Sequence, residues 1–258
     1  MRALLLAGGE GTRLRPLTNK IPKCMMPING RPLLDIWLQE LKSTEIFSKV
    51  LINVHYKKEI VINYLLKSSW KDFVEITEEK ELLGTAGTLF NNYNFFQDSD
   101  FFVAHADNLC ITNLRDFIDC HNLRKNNTHL TMMLFKTNTP ETCGIVELDD
   151  NNVVKKFFEK NREDHGDLAN GAVFIFDKNL KEIIKEKINT DNAPLDISED
   201  IIPLLLGKIN VFLNNNIHID IGNVTSWKKA NSIKIERNFS NEDKNLWNDI
   251  FQKAQWTY

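Results

Sequence analysis

The chain has 258 residues, 42% hydrophobic and 26% charged, with sixteen Phe and five Trp, a composition that excludes disorder. It suffices to bury the core of one large α/β domain. A formal net charge of -3 gives no global basic field for a nucleic acid, so an anionic substrate must be gripped locally by a few cations and backbone N–H groups.

The N-terminal apolar run is too short for a signal-peptide core or a membrane span and ends in glycines, which points to a cytoplasmic protein without a membrane partner. Residues 3–7 read as a strand buried on both faces, with a glycine-rich turn directly behind it. Pro32 suits the first residue of a helix that carries Leu33, Leu34, Trp37, Leu38 and Leu41 on one side. Val50–Val54 reads as a strand, Ile60–Leu66 as a helix and Phe73–Thr77 as a strand. A helix then starts near Thr85, Phe101–Ala104 forms another buried strand, and Asn113 caps a helix holding Leu114, Phe117, Ile118 and His121.

The pattern then changes. Leu130–Phe135, Gly144–Leu148, Val153–Phe158 and Ala172–Phe176 read as strands, Ser198–Leu206 as a helix, Ile209–Leu213 as extended, and Ser226 onward as helical to the end. Alternating strands and helices followed by a run of strands predict an α/β, Rossmann-like three-layer domain. Its sheet would be mixed and mostly parallel, with a second lobe inserted and a ligand cleft between the lobes. The main domain would span residues 1–231, with residues 232–258 a helical extension packed on it. Cys24, Cys110, Cys120 and Cys143 are scattered, without a metal-ligand spacing, and read as reduced thiols.

The densest stretch is Leu5-Leu6-Ala7-Gly8-Gly9-Glu10-Gly11-Thr12-Arg13-Leu14-Arg15. Glycines directly after a buried strand let backbone N–H groups approach an anion, and Arg13 adds a planar multi-donor fork for phosphate oxygens. Lys23 follows ten residues on, between Pro22 and Pro27. The spacing is neither the GxGxxG of a dinucleotide loop nor a Walker A loop, which would need Gly-Lys-Ser/Thr.

Residues 6–32, from Leu-Ala-Gly-Gly-Glu-Gly-Thr-Arg through Pro-Lys to Asn-Gly-Arg-Pro, resemble the signature of the sugar-1-phosphate nucleotidyltransferases. These enzymes are also called nucleotide-sugar pyrophosphorylases. The resemblance implies that Leu6, Ala7, Gly8, Gly9, Gly11 and Thr12 hold a nucleoside triphosphate. Arg13 would act on its outer phosphates and Lys23 near the α-phosphate. It implies that Asp107, after the strand Phe101–Ala104, and Asp220, in Ile-Asp-Ile-Gly, hold Mg2+ between them. His105 and His218, each two residues before one of these aspartates, read as strand residues and not as ligands. Leu83-Gly84-Thr85-Ala86-Gly87 resembles the nucleoside-pocket segment, with Gly84 and Thr85 against the nucleotide. Gly144, Glu159, Lys160 and Asn170 match the sugar-binding positions, although Cys143 replaces an aromatic residue and Asn161 a proline.

The activity so implied is nucleotidyl transfer from a nucleoside triphosphate to a sugar 1-phosphate, with release of pyrophosphate. The product would be a precursor for surface polysaccharide. Glu78–Gly87 is closer to guanylyl enzymes acting on mannose- or heptose-type 1-phosphates than to the thymidylyl branch; uridylyl and cytidylyl transfer are the alternatives within the family. A glycosyltransferase is disfavoured because Asp107-Asn108-Leu109 lacks an Asp-x-Asp pair, and a non-catalytic sensor because every phosphate and metal candidate is retained. The sequence leaves a homo-oligomer open.

Overall fold

The computed structural model describes residues 1–161, 163–189, 194–235 and 239–256. In chain order come β1 (Arg2–Leu6), β2 (Pro27–Ile28), β3 (Arg31–Pro32), α1 (Leu33–Ser43), β4 (Lys49–Val54), α2 (Lys58–Lys67), β5 (Val74–Glu78) and α3 (Thr85–Asn91). There follow β6 (Phe101–His105), β7 (Asn108–Ile111), α4 (Leu114–Asn122), β8 (Leu130–Lys136), β9 (Gly144–Leu148), β10 (Val154–Glu159), β11 (Leu168–Phe176) and α5 (Leu180–Ile184). The last are β12 (Ile209–Leu213), β13 (Ile217–Asp220), α6 (Val224–Asn231) and α7 (Asn241–Lys253). The fold is the expected α/β, Rossmann-like one, a mixed sheet with flanking helices.

Two compact units divide the chain. One comprises Met1–Leu4, Leu82–Ala104 and Thr112–His218; the other comprises Leu5–Glu81, His105–Ile111 and Ile219–Tyr258.

In the first unit β11 is the organising strand. It runs antiparallel to β8 along most of its length, and its other edge pairs with β9 at Ala169↔Ile145 and with β6 from Val173↔Ala104 to Phe176↔Phe101. The pairing changes partner across a bulge between Asn170 and Phe174. Ala172 takes φ 52° there, and its N–H donates to Asn170 Oδ1 at 2.9 Å. β10 lies antiparallel to β9, and β12 parallel to β8. Phe96 stacks on Phe101 at 4.1 Å, and Phe101 on Phe176 at 5.5 Å, all three within the core. Burial of each such ring stabilises the fold by about 1.5–3 kcal/mol.

In the second unit β4 and β5 pair in parallel from Val50↔Val74 to Val54↔Glu78. Helix α1 buries Leu33, Leu34, Trp37, Leu38 and Leu41, the face that the periodicity predicts. On the same helix Asp35 is fully buried, which is tolerable because its carboxylate accepts from Tyr64 Oη at 2.6 Å, from Trp70 Nε1 and from Arg31 Nε. Asp243 of α7 accepts from the N–H and hydroxyl of Ser69 at 2.9 and 2.6 Å, and Trp247 packs edge-on to Tyr64.

Several local expectations change. Pro32 closes β3 and precedes α1, because its ψ of 136° is extended and not helical. Ile197–Ile201 is one π-turn followed by a 3₁₀ turn over Ile202–Leu205; Pro203 lacks the N–H an α-helix would need there. The C-terminal helical stretch is two helices. α6 stops at Asn231, whose side chain bonds Pro27 O and the Asn29 N–H.

Candidate active site

The glycine-rich turn leaves β1 and enters a 3₁₀ turn, Thr12–Leu14, in the second unit. Gly11 takes φ 62°, and a Cβ there would lie 2.9 Å from Lys23 Cβ and 3.1 Å from Thr18 Cγ2. Only glycine combines that backbone with so close an approach of the lysine stem. The start of the turn is pinned by Ala7 N–H donating to Asn53 Oδ1 at 2.7 Å, while Asn53 Nδ2 donates to Glu79 Oε1 at 3.1 Å. Asn53 and Glu79 are buried. The sequence marks Asn53 only as an Asn inside an apolar strand, and Glu79 only as part of the Glu78–Gly87 segment, so it misses their role under the turn. Thr18 Oγ1 donates to Gly11 O at 2.8 Å and closes the turn from its far side.

Asp107 and Asp220 meet, although more than a hundred residues separate them. Asp107 directly precedes β7, Asp220 ends β13, and β7 and β13 form a two-stranded sheet. Between the carboxylates stands Lys23, its Nζ 2.7 Å from Asp107 Oδ2 and 2.9 Å from Asp220 Oδ1. Arg13 Nη2 lies 3.7 Å from Asp220 Oδ2. Gly222 makes this possible: a Cβ there would sit 2.8 Å from Asp220 Oδ2 and 3.1 Å from Arg13 Nη2.

Burial alone would lower the pKa of Lys23, but the charges and hydrogen bonds of Asp107 and Asp220 raise it above the ordinary lysine value. Burial would likewise raise Asp107, and the Lys23 ammonium together with His105 holds it below the usual carboxylate range. Lys23 and Asp107 are thus held as an ion pair at neutral pH. Arg13 is mostly exposed, its side chain at 73%, whereas Lys23 is nearly covered at 8%. One cation is free to reach an incoming anion and the other is stored beside the carboxylates.

The two carboxylates converge on a single cationic centre, so the donor set fits a hard divalent ion that takes its other ligands from water and phosphate oxygens. Among the described residues no group of three or more His, Cys, Asp or Glu forms a closed metal cage. His218 packs on Phe135 at a tilt of 30°, with centroids 4.2 Å apart.

In the first unit Gly144 and Glu159 are direct cross-strand partners, and Lys160 N–H donates to Cys143 O at 3.0 Å. Lys160 Nζ pairs with Glu159 Oε1 at 2.8 Å. Asn170 stands on β11 with its Oδ1 committed to the bulge. Gly84 precedes α3, where the hydroxyl of Thr85 donates to Asp196 at 2.9 Å and accepts from Ile197 N–H at 2.7 Å. The N–H groups of Ala86 and Gly87 both donate to Leu195 O. Asp196 and Leu195 carried no sequence signal; only the tertiary pairing identifies them as the bracket of this segment.

Residues 2–237 match the nucleotidyl transferase family. A mannose-1-phosphate guanyltransferase of Yarrowia lipolytica is 30% identical over 82% of this chain and 57% of its own length. The bifunctional protein GlmU of Methanococcus maripaludis is 26% identical over 90% of this chain and 54% of its own. The chain therefore spans a little over half the length of these curated relatives. Among solved structures, a Bacillus anthracis protein described as a glucose-1-phosphate thymidylyltransferase, in complex with a sucrose, superposes with a TM-score of 0.81. It is 21% identical, covering 94% of this chain and 98% of its own. HddC from Yersinia pseudotuberculosis, complexed with GMP-PN, superposes at 0.73 with 26% identity over 90% of this chain and 98% of its own. With this match over most of its length, the chain belongs to the nucleotidyl transferase family.

Proposed function

We propose that this protein transfers guanylyl from GTP to a hexose or heptose 1-phosphate in the cytoplasm, giving a GDP-sugar for surface-polysaccharide synthesis and pyrophosphate. The convergence of Lys23 on Asp107 and Asp220 beside Arg13 carries this reading. Opposite charges gathered behind a glycine-rich turn suit a polyphosphate held with a counter-ion. Support for the base comes from the Glu78–Gly87 segment, from the guanyltransferase relatives and from the GMP-PN complex of HddC.

In this reaction an oxygen of the sugar 1-phosphate attacks the α-phosphorus in line. One P–O bond forms there, the bridge to the β-phosphorus breaks, and the electron pair leaves with pyrophosphate. The attacking oxygen is already ionised, so no general base is needed. Positioning and charge supply the rate. Arg13 grips the outer phosphates, while Lys23 stabilises charge at the α-phosphate and on the sugar phosphate. Asp107 and Asp220 would hold Mg2+, which neutralises phosphate charge when bound. Leu6, Ala7, Gly8, Gly9, Gly11, Thr12, Gly84 and Thr85 line the nucleotide, and Gly144, Glu159, Lys160 and Asn170 the sugar.

The test is a matrix of GTP, ATP, CTP, UTP and dTTP against mannose, glucose and heptose 1-phosphates, read by pyrophosphate release. GTP with one of these sugars should release it fastest. Release with another triphosphate but not GTP would overturn the base assignment, and no release with any pair would overturn the reading.

A further inference from the structure

The family match ends at residue 237, yet the chain continues through α7 and places a tryptophan against Leu17, four residues beyond Arg13. α7 is fixed to the second unit at two points, Asp243 on Ser69 and Trp247 on Tyr64. The helix ends at Lys253, and Gln255 takes φ 50°, turning the backbone sharply. Trp256 then donates its indole N–H to Leu17 O at 2.9 Å, across 239 positions of sequence. Its ring packs on Phe251 at 4.6 Å and edge-on to Trp227 at 6.1 Å.

Both of these contacts lead to the site. Leu17 is buried, and its neighbour Thr18 bonds Gly11 O through its hydroxyl and receives Tyr56 Oη on its carbonyl. Leu17 and Thr18 are thus the back wall of the turn that presents Arg13. Trp227 belongs to α6, which begins four residues after Asp220 with Asn223 as its cap, and its own indole bonds Pro27 O at 2.9 Å. Pro27 in turn closes the segment that carries Lys23. One indole therefore touches Leu17, whose neighbour Thr18 bonds Gly11, and the helix that follows Asp220.

We infer that Trp256 is a positioning residue that holds the glycine-rich turn in register with Asp220, so that the turn is already shaped when a nucleoside triphosphate arrives. The nucleotide half of this inference rests on the function proposed above. A half-buried indole hydrogen bond contributes modestly by itself. Its effect here lies in restricting a turn that would otherwise be ordered only at the expense of binding energy.

Trp256→Phe keeps the ring and removes the donor, and Trp256→Ala removes both. Hydrogen exchange at residues 11–19, measured without nucleotide, should accelerate in both variants while exchange in β4 and α1 stays as in the wild type. With whichever triphosphate of the matrix above the wild type turns over, Trp256→Phe should raise KM for the triphosphate about threefold to tenfold. The KM for sugar phosphate should be unchanged and kcat should fall less. Trp256→Ala should raise the triphosphate KM further. A lowered Tm with unchanged triphosphate KM in both variants would show plain packing and overturn the inference, as would unaltered exchange at residues 11–19. If the wild type turns over no triphosphate, the proposed function fails by itself, and the exchange result still decides whether Trp256 holds the turn.

Discussion

The ammonium of Lys23 lies 2.7 Å from the Asp107 carboxylate across 84 positions of sequence, and the same nitrogen reaches Asp220 at 2.9 Å. Lys23 thus occupies the focus of two carboxylates that would otherwise repel each other. Breaking a fully buried pair costs about 3–5 kcal/mol, but Asp107 and Asp220 keep 33% and 51% of their side-chain exposure, so water screens much of the loss. Lys23→Met should therefore lower stability by only about 1–2 kcal/mol while reducing kcat/KM by more than about a hundredfold. A melting curve and steady-state kinetics on the same preparation check both halves.

Asp107→Asn should leave the fold intact, because the amide oxygen can still accept from Lys23 Nζ. Metal-dependent activity should vanish, since an amide is a poor ligand for a hard divalent ion. Titration with Mn2+, followed by its electron paramagnetic resonance, should show weaker binding than in the wild type. Near-normal turnover in this variant would remove Asp107 from the mechanism.

Arg13 separates stability from activity. Its contact to Asp220 is long and solvent-exposed, so Arg13→Ala should shift stability by less than about 0.5 kcal/mol. If the guanidinium grips phosphate, the same change should cost roughly 2–5 kcal/mol of transition-state stabilisation, about thirtyfold to several thousandfold in kcat/KM. Arg13→Lys should recover part of this, because an ammonium keeps the charge but not the planar fork. Equal kcat/KM for the wild type and the alanine variant would defeat the assignment.

Gly222→Ala offers a sharper geometric test. The added methyl would meet the Asp220 carboxylate at 2.8 Å and the Arg13 guanidinium at 3.1 Å, so one of them must move. The variant should fold, with a Tm within a few degrees of the wild type, and lose about tenfold or more in kcat/KM. Unchanged kinetics would mean that the Asp220 and Arg13 positions are not set by this contact.

Acid stability should track Asp100 in the first unit. Burial alone would raise its pKa, but the bond to His121, the Lys178 N–H and the Arg124 guanidinium bring it down to about 2. A folded-state pKa below the unfolded one gives stability that is present above about pH 4 and lost as the pH falls toward 2. Burial also lowers His121, which adds a loss in the same direction below its ordinary pKa near 6.5. Asp100→Asn should lower stability at pH 7 by about 2 kcal/mol and flatten the decline between pH 4 and 2, as urea unfolding across that range would show.

The glycine-rich turn, the buried strand before it and the apolar face of α1 follow from sequence because each depends on neighbours within a few residues. Three closely spaced glycines behind a run of aliphatics, or Leu33, Trp37 and Leu41 at helical spacing, leave little choice to the backbone. The resemblance extended this to Arg13, Lys23, Asp107 and Asp220 as separate members of one site. What it could not give is their arrangement. Lys23 lying between the two aspartates depends on β7 pairing with β13, short strands whose few residues carry too weak a pattern to read. Asn53 under the turn, Leu195 and Asp196 bracketing Thr85, and Trp256 behind Leu17 are contacts across 46 to 239 positions. Local propensity is silent on such pairs, because a side chain's distant partner is chosen by how the strands and helices pack and not by the residues beside it.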